Sequence, residues 1–132
     1  FGTKEELLHA TAQDSITRFE ARLTEELYQQ EENAPGRFTR AYIEAVLGTE
    51  HGRLDKTSPV LLNFLRSIEG ETRFNYWQPH TEQDSLPIPL ATIIRLALDG
   101  LIYTEMIDNQ PIDEALRQQI RQHLLHLIDN PN

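Results

Sequence analysis

Apolar residues recur at spacings of three and four along most of the chain, and no run of two-residue alternation lasts long enough to propose a sheet. The pattern predicts an all-α protein, a bundle of about six helices. A first helix begins at Thr3, whose hydroxyl can cap the free amides of the opening turn while Glu6, three residues on, reaches back as the other half of a capping box. Its stripe runs through Leu8, Ala12, Ile16, Phe19, Leu23 and Leu27 and fades in a polar run over 29–33. Pro35-Gly36 marks the turn into a second helix, whose Phe38, Tyr42, Ala45 and Val46 share one face before Gly48 ends it. Residues 49–57 read as a polar loop, and Ser58-Pro59 starts a third helix with Leu61, Phe64, Leu65 and Ile68 inward as far as Gly70. Over 72–80 the cluster Phe74, Tyr76 and Trp77 suits a short helix and tolerates extended backbone. Residues 83–89 read as a linker whose Pro87 and Pro89 lead into a penultimate helix over roughly 90–107, and Pro111 opens a last helix that runs to about Ile128.

The penultimate helix carries more apolar surface than one face needs. Rotated at about 100° per residue, it shows two sectors: Leu90, Ile94, Ala97, Leu98 and Leu101 in one, and Ile93, Leu96, Gly100, Tyr103 and Ile107 in the other. The last helix adds a stripe of Ile112, Leu116, Ile120, Leu124 and Leu127. Two such helices side by side point to a homodimer, a four-helix bundle across a two-fold axis. Its contacts would be Ile93, Leu96, Gly100, Tyr103, Ile107, Leu116, Ile120, Leu124 and Leu127. A monomeric bundle with both faces internal accounts for the periodicity equally well. Gly100 is about 1 kcal/mol less favourable than Ala in a helix interior, and close helix–helix approach is the simplest reason for it. Asp99 beside it can pair with a cation, cap a neighbouring element, or face solvent along with Arg95.

Composition narrows the function classes. A length of 132 residues fits one domain, and the absence of cysteine excludes disulfides and thiolate metal sites and agrees with a cytoplasmic setting. Twelve Lys plus Arg against twenty-one Asp plus Glu leaves a net charge of -9, which repels phosphate backbones and argues against this chain alone binding nucleic acid. Arg95, Asp99 and Glu105 interrupt the most apolar segment, so no membrane span is expected. The chain starts at Phe1 rather than Met and reads as part of a longer protein.

Catalytic chemistry finds little support. His123 and His126 lie three apart with no carboxylate at a ligand spacing, and His123, within the apolar stripe, reads as a hydrogen-bonded packing residue. The adjacent acidic pairs point in different directions on helix surfaces and form no acid–base dyad. Neither a phosphate loop nor a nucleophile elbow occurs, so no catalytic residue, metal or cofactor is expected. Tyr28, Tyr42, Phe64, Phe74, Tyr76, Trp77 and Tyr103 could line a pocket for an apolar or aromatic small molecule, and could equally serve as core.

Two segments carry a resemblance. Phe1-Gly2-Thr3-Lys4-Glu5-Glu6-Leu7-Leu8 resembles the stretch of TetR-type transcriptional regulators where the recognition helix of the helix-turn-helix ends and the next helix begins. Ile94-Arg95-Leu96-Ala97-Leu98-Asp99-Gly100-Leu101-Ile102-Tyr103 is similar to the Asp-Gly-Leu-containing penultimate helix of many of their C-terminal domains. The resemblance implies an effector-binding and dimerisation domain over 1–132, with 1–3 a remnant of the DNA-binding head. Lys4 then matches a DNA-phosphate contact, the last two helices form the dimer interface, and the full-length regulator, expected to be a repressor, binds operator DNA. Tyr42, Leu61, Leu65, Trp77, Ile94 and Leu98, on inward faces, are the candidates for binding a small-molecule effector. The competing reading is a stand-alone helical protein–protein interaction module, in which the extra face of the penultimate helix takes a different protein.

Overall fold

The structure, a computed structural model, describes residues 2–48, 73–108 and 112–131. The described residues form five helices and no strand: α1 Lys4–Gln29, α2 Arg37–Leu47, α3 Arg73–Glu82, α4 Ile88–Asp108 and α5 Glu114–Asp129. The all-α expectation holds. The helix expected over 58–70, with Leu61, Phe64 and Leu65, lies outside the described residues, whereas 73–82 takes the helical alternative.

Thr3 caps α1 as its sequence predicts, with extended backbone and its hydroxyl oxygen accepting from the Glu6 amide at 3.0 Å. The reciprocal bond falls one residue earlier than in a capping box, because the Glu6 carboxylate accepts from the Gly2 amide at 2.8 Å. At about 1.5 Å per residue the 26 residues of α1 make a long rod that packs by its second half. Phe19 and Leu23 are buried and Leu27 partly so, while Lys4 and Leu7 near its start are exposed.

The centre of the fold is α2. Phe38, Thr39, Ala41, Tyr42, Ile43, Ala45, Val46 and Leu47 are all buried, so the helix is covered nearly all round rather than on the single face its pattern suggested. The reason is that α1, α3, α4 and α5 all pack on it. A helix enclosed in this way cannot leave its terminal amides and carbonyls to water, and side chains from other elements satisfy them.

At its N-terminus Gly36 takes a left-handed conformation (φ 73°) and offers no side-chain cap. The cap comes from Asp84 in the α3–α4 linker. One carboxylate oxygen accepts from the Phe38 amide and the other from the Thr39 amide, each at 2.7 Å. The Thr39 hydroxyl also donates to that second oxygen, and the Asp84 carbonyl accepts from the Gly36 amide at 2.7 Å. Glycine is required here twice over, because a Cβ at position 36 would also lie 2.9 Å from Leu86 and 3.0 Å from Ile128. At the C-terminus Arg117 donates to the Val46 carbonyl and Gln118 to the Leu47 carbonyl, both at 2.9 Å.

These bonds decide which face of α5 turns inward. Arg117, Leu124 and Ile128 are buried, and Arg121 makes a two-pronged contact with Glu44 of α2 at 3.0 and 2.6 Å. The expected apolar stripe is therefore displaced around the helix. Ile120 and Leu127 are partly buried on its flank, Leu116 is 47% exposed, and His123 is exposed instead of packed. Charged residues hold inward positions because they serve the end and side of α2, a role that a hydrophobic pattern does not report.

Removing the distant cap tests this arrangement. Asp84→Ala strips acceptors from two buried amides and is expected to lower unfolding stability by about 2–4 kcal/mol, read from urea denaturation. A loss below about 0.5 kcal/mol would show that the α2 terminus does not depend on Asp84.

Candidate functional site

Of the six residues expected to bind an effector, Tyr42, Ile94 and Leu98 come together as fully buried members of one core cluster on α2 and α4. Leu61 and Leu65 lie outside the described residues, and Trp77 falls on α3 at a position whose side chain is not described.

Tyr42 joins three elements. Its ring meets Phe19 of α1 edge-on at 5.8 Å and Phe38 at a tilt at 6.0 Å. Its hydroxyl donates to Asp99 Oδ1 at 2.6 Å, and Asp99 Oδ2 accepts from Arg95 Nη1 at 3.3 Å. Of the alternatives open for Asp99, the structure selects pairing with a cation, and Arg95 at 3% exposure lies in the interior rather than at the surface. Spacing alone offered one clue, two opposite charges one turn apart in an otherwise apolar helix. An ion pair withdrawn from water gains little net stability unless further hydrogen bonds complete it, and the Tyr42 hydroxyl is one of these.

Nearby, Arg22 of α1 donates to the Ala45 carbonyl at 3.3 Å. Burial lowers the affinity of its guanidinium for the proton, and the Glu26 carboxylate opposes that shift. Tyr28, a candidate for aromatic pocket surface, is exposed and takes no part in the cluster.

The opposite side of α4 differs sharply. Ile93 is 62% and Leu96 49% exposed, and Gly100 is exposed between them on the helix surface. Tyr103 and Ile107 fall further along α4 at positions whose side chains are not described. Among the dimer-contact residues expected on α5, Leu116 is exposed, Ile120 and Leu127 are half-buried, and Leu124 packs in the chain's own core. Leu124 is drawn inward because it shares the α5 face of Arg117 and Ile128. Lys4 is exposed at the first position of α1.

A cleft of about 380 Å³ opens where the end of α1, the α1–α2 turn and the α3–α4 linker converge, with Glu32, Asn33, Arg37, His80 and Gln83 among its walls. Arg37 closes the C-terminus of α1 by donating to the Leu27 carbonyl at 2.9 Å, and the His80 ring stacks on Phe38 at 5.0 Å. Sequence reasoning missed this cleft because two separate connecting segments supply its walls. Among the described residues, no group of three or more His, Cys, Asp or Glu side chains could hold a metal ion, and no helix is long and apolar enough to cross a membrane.

The family model described as tetracyclin repressor-like, C-terminal domain, matches residues 36–129, which take in α2 to α5 and therefore both sides of α4. No curated protein and no solved structure matches the chain.

The Tyr42–Asp99 bond can be tested by itself. Tyr42→Phe keeps the ring contacts and removes the hydroxyl, and is expected to lower stability by about 1–3 kcal/mol in urea titration. An unchanged midpoint would show that the network adds nothing to the union of α2 and α4.

Proposed function

The chain belongs to the family of tetracyclin repressor-like C-terminal domains, and from that membership we propose that it is the regulatory part of a TetR-type transcriptional regulator, dimeric through its last two helices and responsive to a small-molecule effector. Domains of this family typically dimerise and bind small-molecule effectors. The observation that carries the reading for this chain is the orientation of α4: its charged Arg95 and Asp99 turn inward, while Ile93 and Leu96 face out. A helix meant for water has the reverse arrangement.

In this reading the effector binds beside Tyr42, Ile94 and Leu98, with Leu61, Leu65 and Trp77 as further candidates. Tyr42 touches both Phe19 of α1 and Asp99 of α4, so a ligand that displaces it acts on the long first helix. The effector must favour one position of α1 over another, because binding both arrangements equally shifts nothing. In the full-length cytoplasmic protein, a repressor, α1 leads to the DNA-binding head and Lys4 meets a DNA phosphate. No residue is assigned a catalytic role.

Sedimentation equilibrium at micromolar concentration tests the assembly. The chain is expected to sediment at twice its own mass, and Ile93→Glu combined with Leu96→Glu to sediment at the single-chain mass with an unchanged helical circular dichroism spectrum. A native chain that sediments as a monomer contradicts the reading. A dimer that survives both substitutions assigns the contact to another surface.

A further inference from the structure

We propose that the cleft between the end of α1 and the α3–α4 linker binds a small zwitterion, a molecule that carries a carboxylate for Arg37 and an ammonium group for Glu32, as a free amino acid does. The site is separate from the effector position beside Tyr42, and neither reading depends on the other.

The size and the walls of the cleft set the class of ligand. At about 380 Å³ it lies near the small end of ligand pockets, which span about 300–1,000 Å³. Such pockets are lined mainly by apolar side chains, whereas Glu32, Asn33, Arg37, His80, Gln83 and Ser85 all contribute to this one. A hydrophobic occupant would strip those groups of water and give them no partner in return. A polar one is required.

Charge narrows the class further. Among the described residues Arg37 makes one side-chain hydrogen bond, from Nη2 to the Leu27 carbonyl at 2.9 Å, and no ion pair, and its buried Nε has no acceptor. A guanidinium held by one prong keeps donors for a carboxylate, the partner its planar fork matches best. Of the two carboxylates in the cleft walls, Asp84 is committed to the Phe38 and Thr39 amides and the Thr39 hydroxyl. Glu32 is exposed and pairs with no cation among the described residues, Arg37 included. One cleft thus presents a cation and an anion that do not neutralise each other. A molecule bearing both charges satisfies both. Having no net charge, it also escapes the repulsion that a chain of net charge -9 exerts on a simple anion.

The walls are held in place by the chain itself. The Leu27 carbonyl fixes the Arg37 guanidinium, and the His80 ring lies flat on Phe38, 5.0 Å between centroids at 18°. Asp84 is bound to α2 and Leu86 is buried, so Ser85 between them is pinned at a φ of 58°, a left-handed conformation uncommon outside glycine. Binding therefore has little of the protein left to order, which favours affinity for a small ligand. Phe38 meets Tyr42 as well as His80, so the outer cleft and the core share one aromatic wall.

Isothermal titration of the full chain with the α-amino acids of neutral side chain, one at a time at millimolar concentration, is the test. The N-acetyl and amide derivatives of each compound, which lack the ammonium and the carboxylate respectively, serve as its controls. At least one amino acid is expected to bind, and both of its derivatives to bind at least tenfold more weakly. Glu32→Gln is expected to weaken the amino acid at least tenfold with an unchanged urea midpoint, because the exposed Glu32 side chain holds nothing among the described residues. Arg37→Lys, which keeps the charge and loses the fork, is expected to weaken it by a similar factor. The proposal is overturned if no amino acid of the set binds the native chain, or if a derivative binds as tightly as its parent. It is equally overturned if Glu32→Gln binds the amino acid like the native chain, since the compound then sits elsewhere, the core beside Tyr42 included.

Discussion

A helix buried on nearly every side must have its ends satisfied by something other than water, and in this protein that constraint falls on α2. Gly36 cannot cap it, so Asp84 arrives from the linker some forty-five residues later and takes the Phe38 and Thr39 amides. Arg117 and Gln118 arrive from the last helix to take the carbonyls at the other end. These contacts fix the linker, and with it the start of α4, and they fix the inward face of α5. The close fit of Gly36 against Leu86 and Ile128 brings the linker and the last helix to the same spot. Local helix-forming tendencies define the five described rods, and these long-range polar bonds determine how the rods are placed.

What could be read in the sequence follows from this division. Thr3, the Phe19 and Leu23 stripe, the Pro35-Gly36 turn and the Gly48 stop are local signals, and each occurs where the pattern predicts it. Asp84 looked like a polar linker residue, because nothing near it in the chain reveals that its partners are two amides on a remote helix. The α5 stripe led to a displaced face for a related reason: Arg117 and Arg121 point inward to serve α2, and a rule that sends charge outward rotates the helix away from its true seat. The same rule left Arg95 and Asp99 with a solvent option. The inward positions of Tyr42, Ile94 and Leu98 follow from periodicity, whereas the hydrogen bond that joins Tyr42 to Asp99 depends on two helices being brought together. On the outer side, periodicity identified the second apolar sector of α4 but could not say whether the chain covers it. The structure leaves Ile93 and Leu96 exposed.

The two sides of α4 thereby differ in character. Its inner side holds Arg95, Asp99 and the apolar residues around Tyr42, and so is connected through Phe19 to α1. Its outer side carries no charged residue among the described exposed positions. In the proposed regulator one helix would lie between the effector and the second subunit, so a change on the inner side need travel only the width of a helix to be felt at the interface. Coupling of this kind needs two discrete arrangements of packed elements rather than a continuous deformation.

In the proposed dimer two copies meet through the outer side of α4, and the absence of cysteine allows a direct test. A single cysteine introduced as Ala97→Cys sits beside Gly100 on that face, and one introduced as Thr11→Cys sits on the exposed first half of α1. With a short thiol-specific cross-linker at micromolar protein, the account predicts a covalent dimer from Ala97→Cys and little from Thr11→Cys. Equal yields from the two, or none from Ala97→Cys, would contradict it.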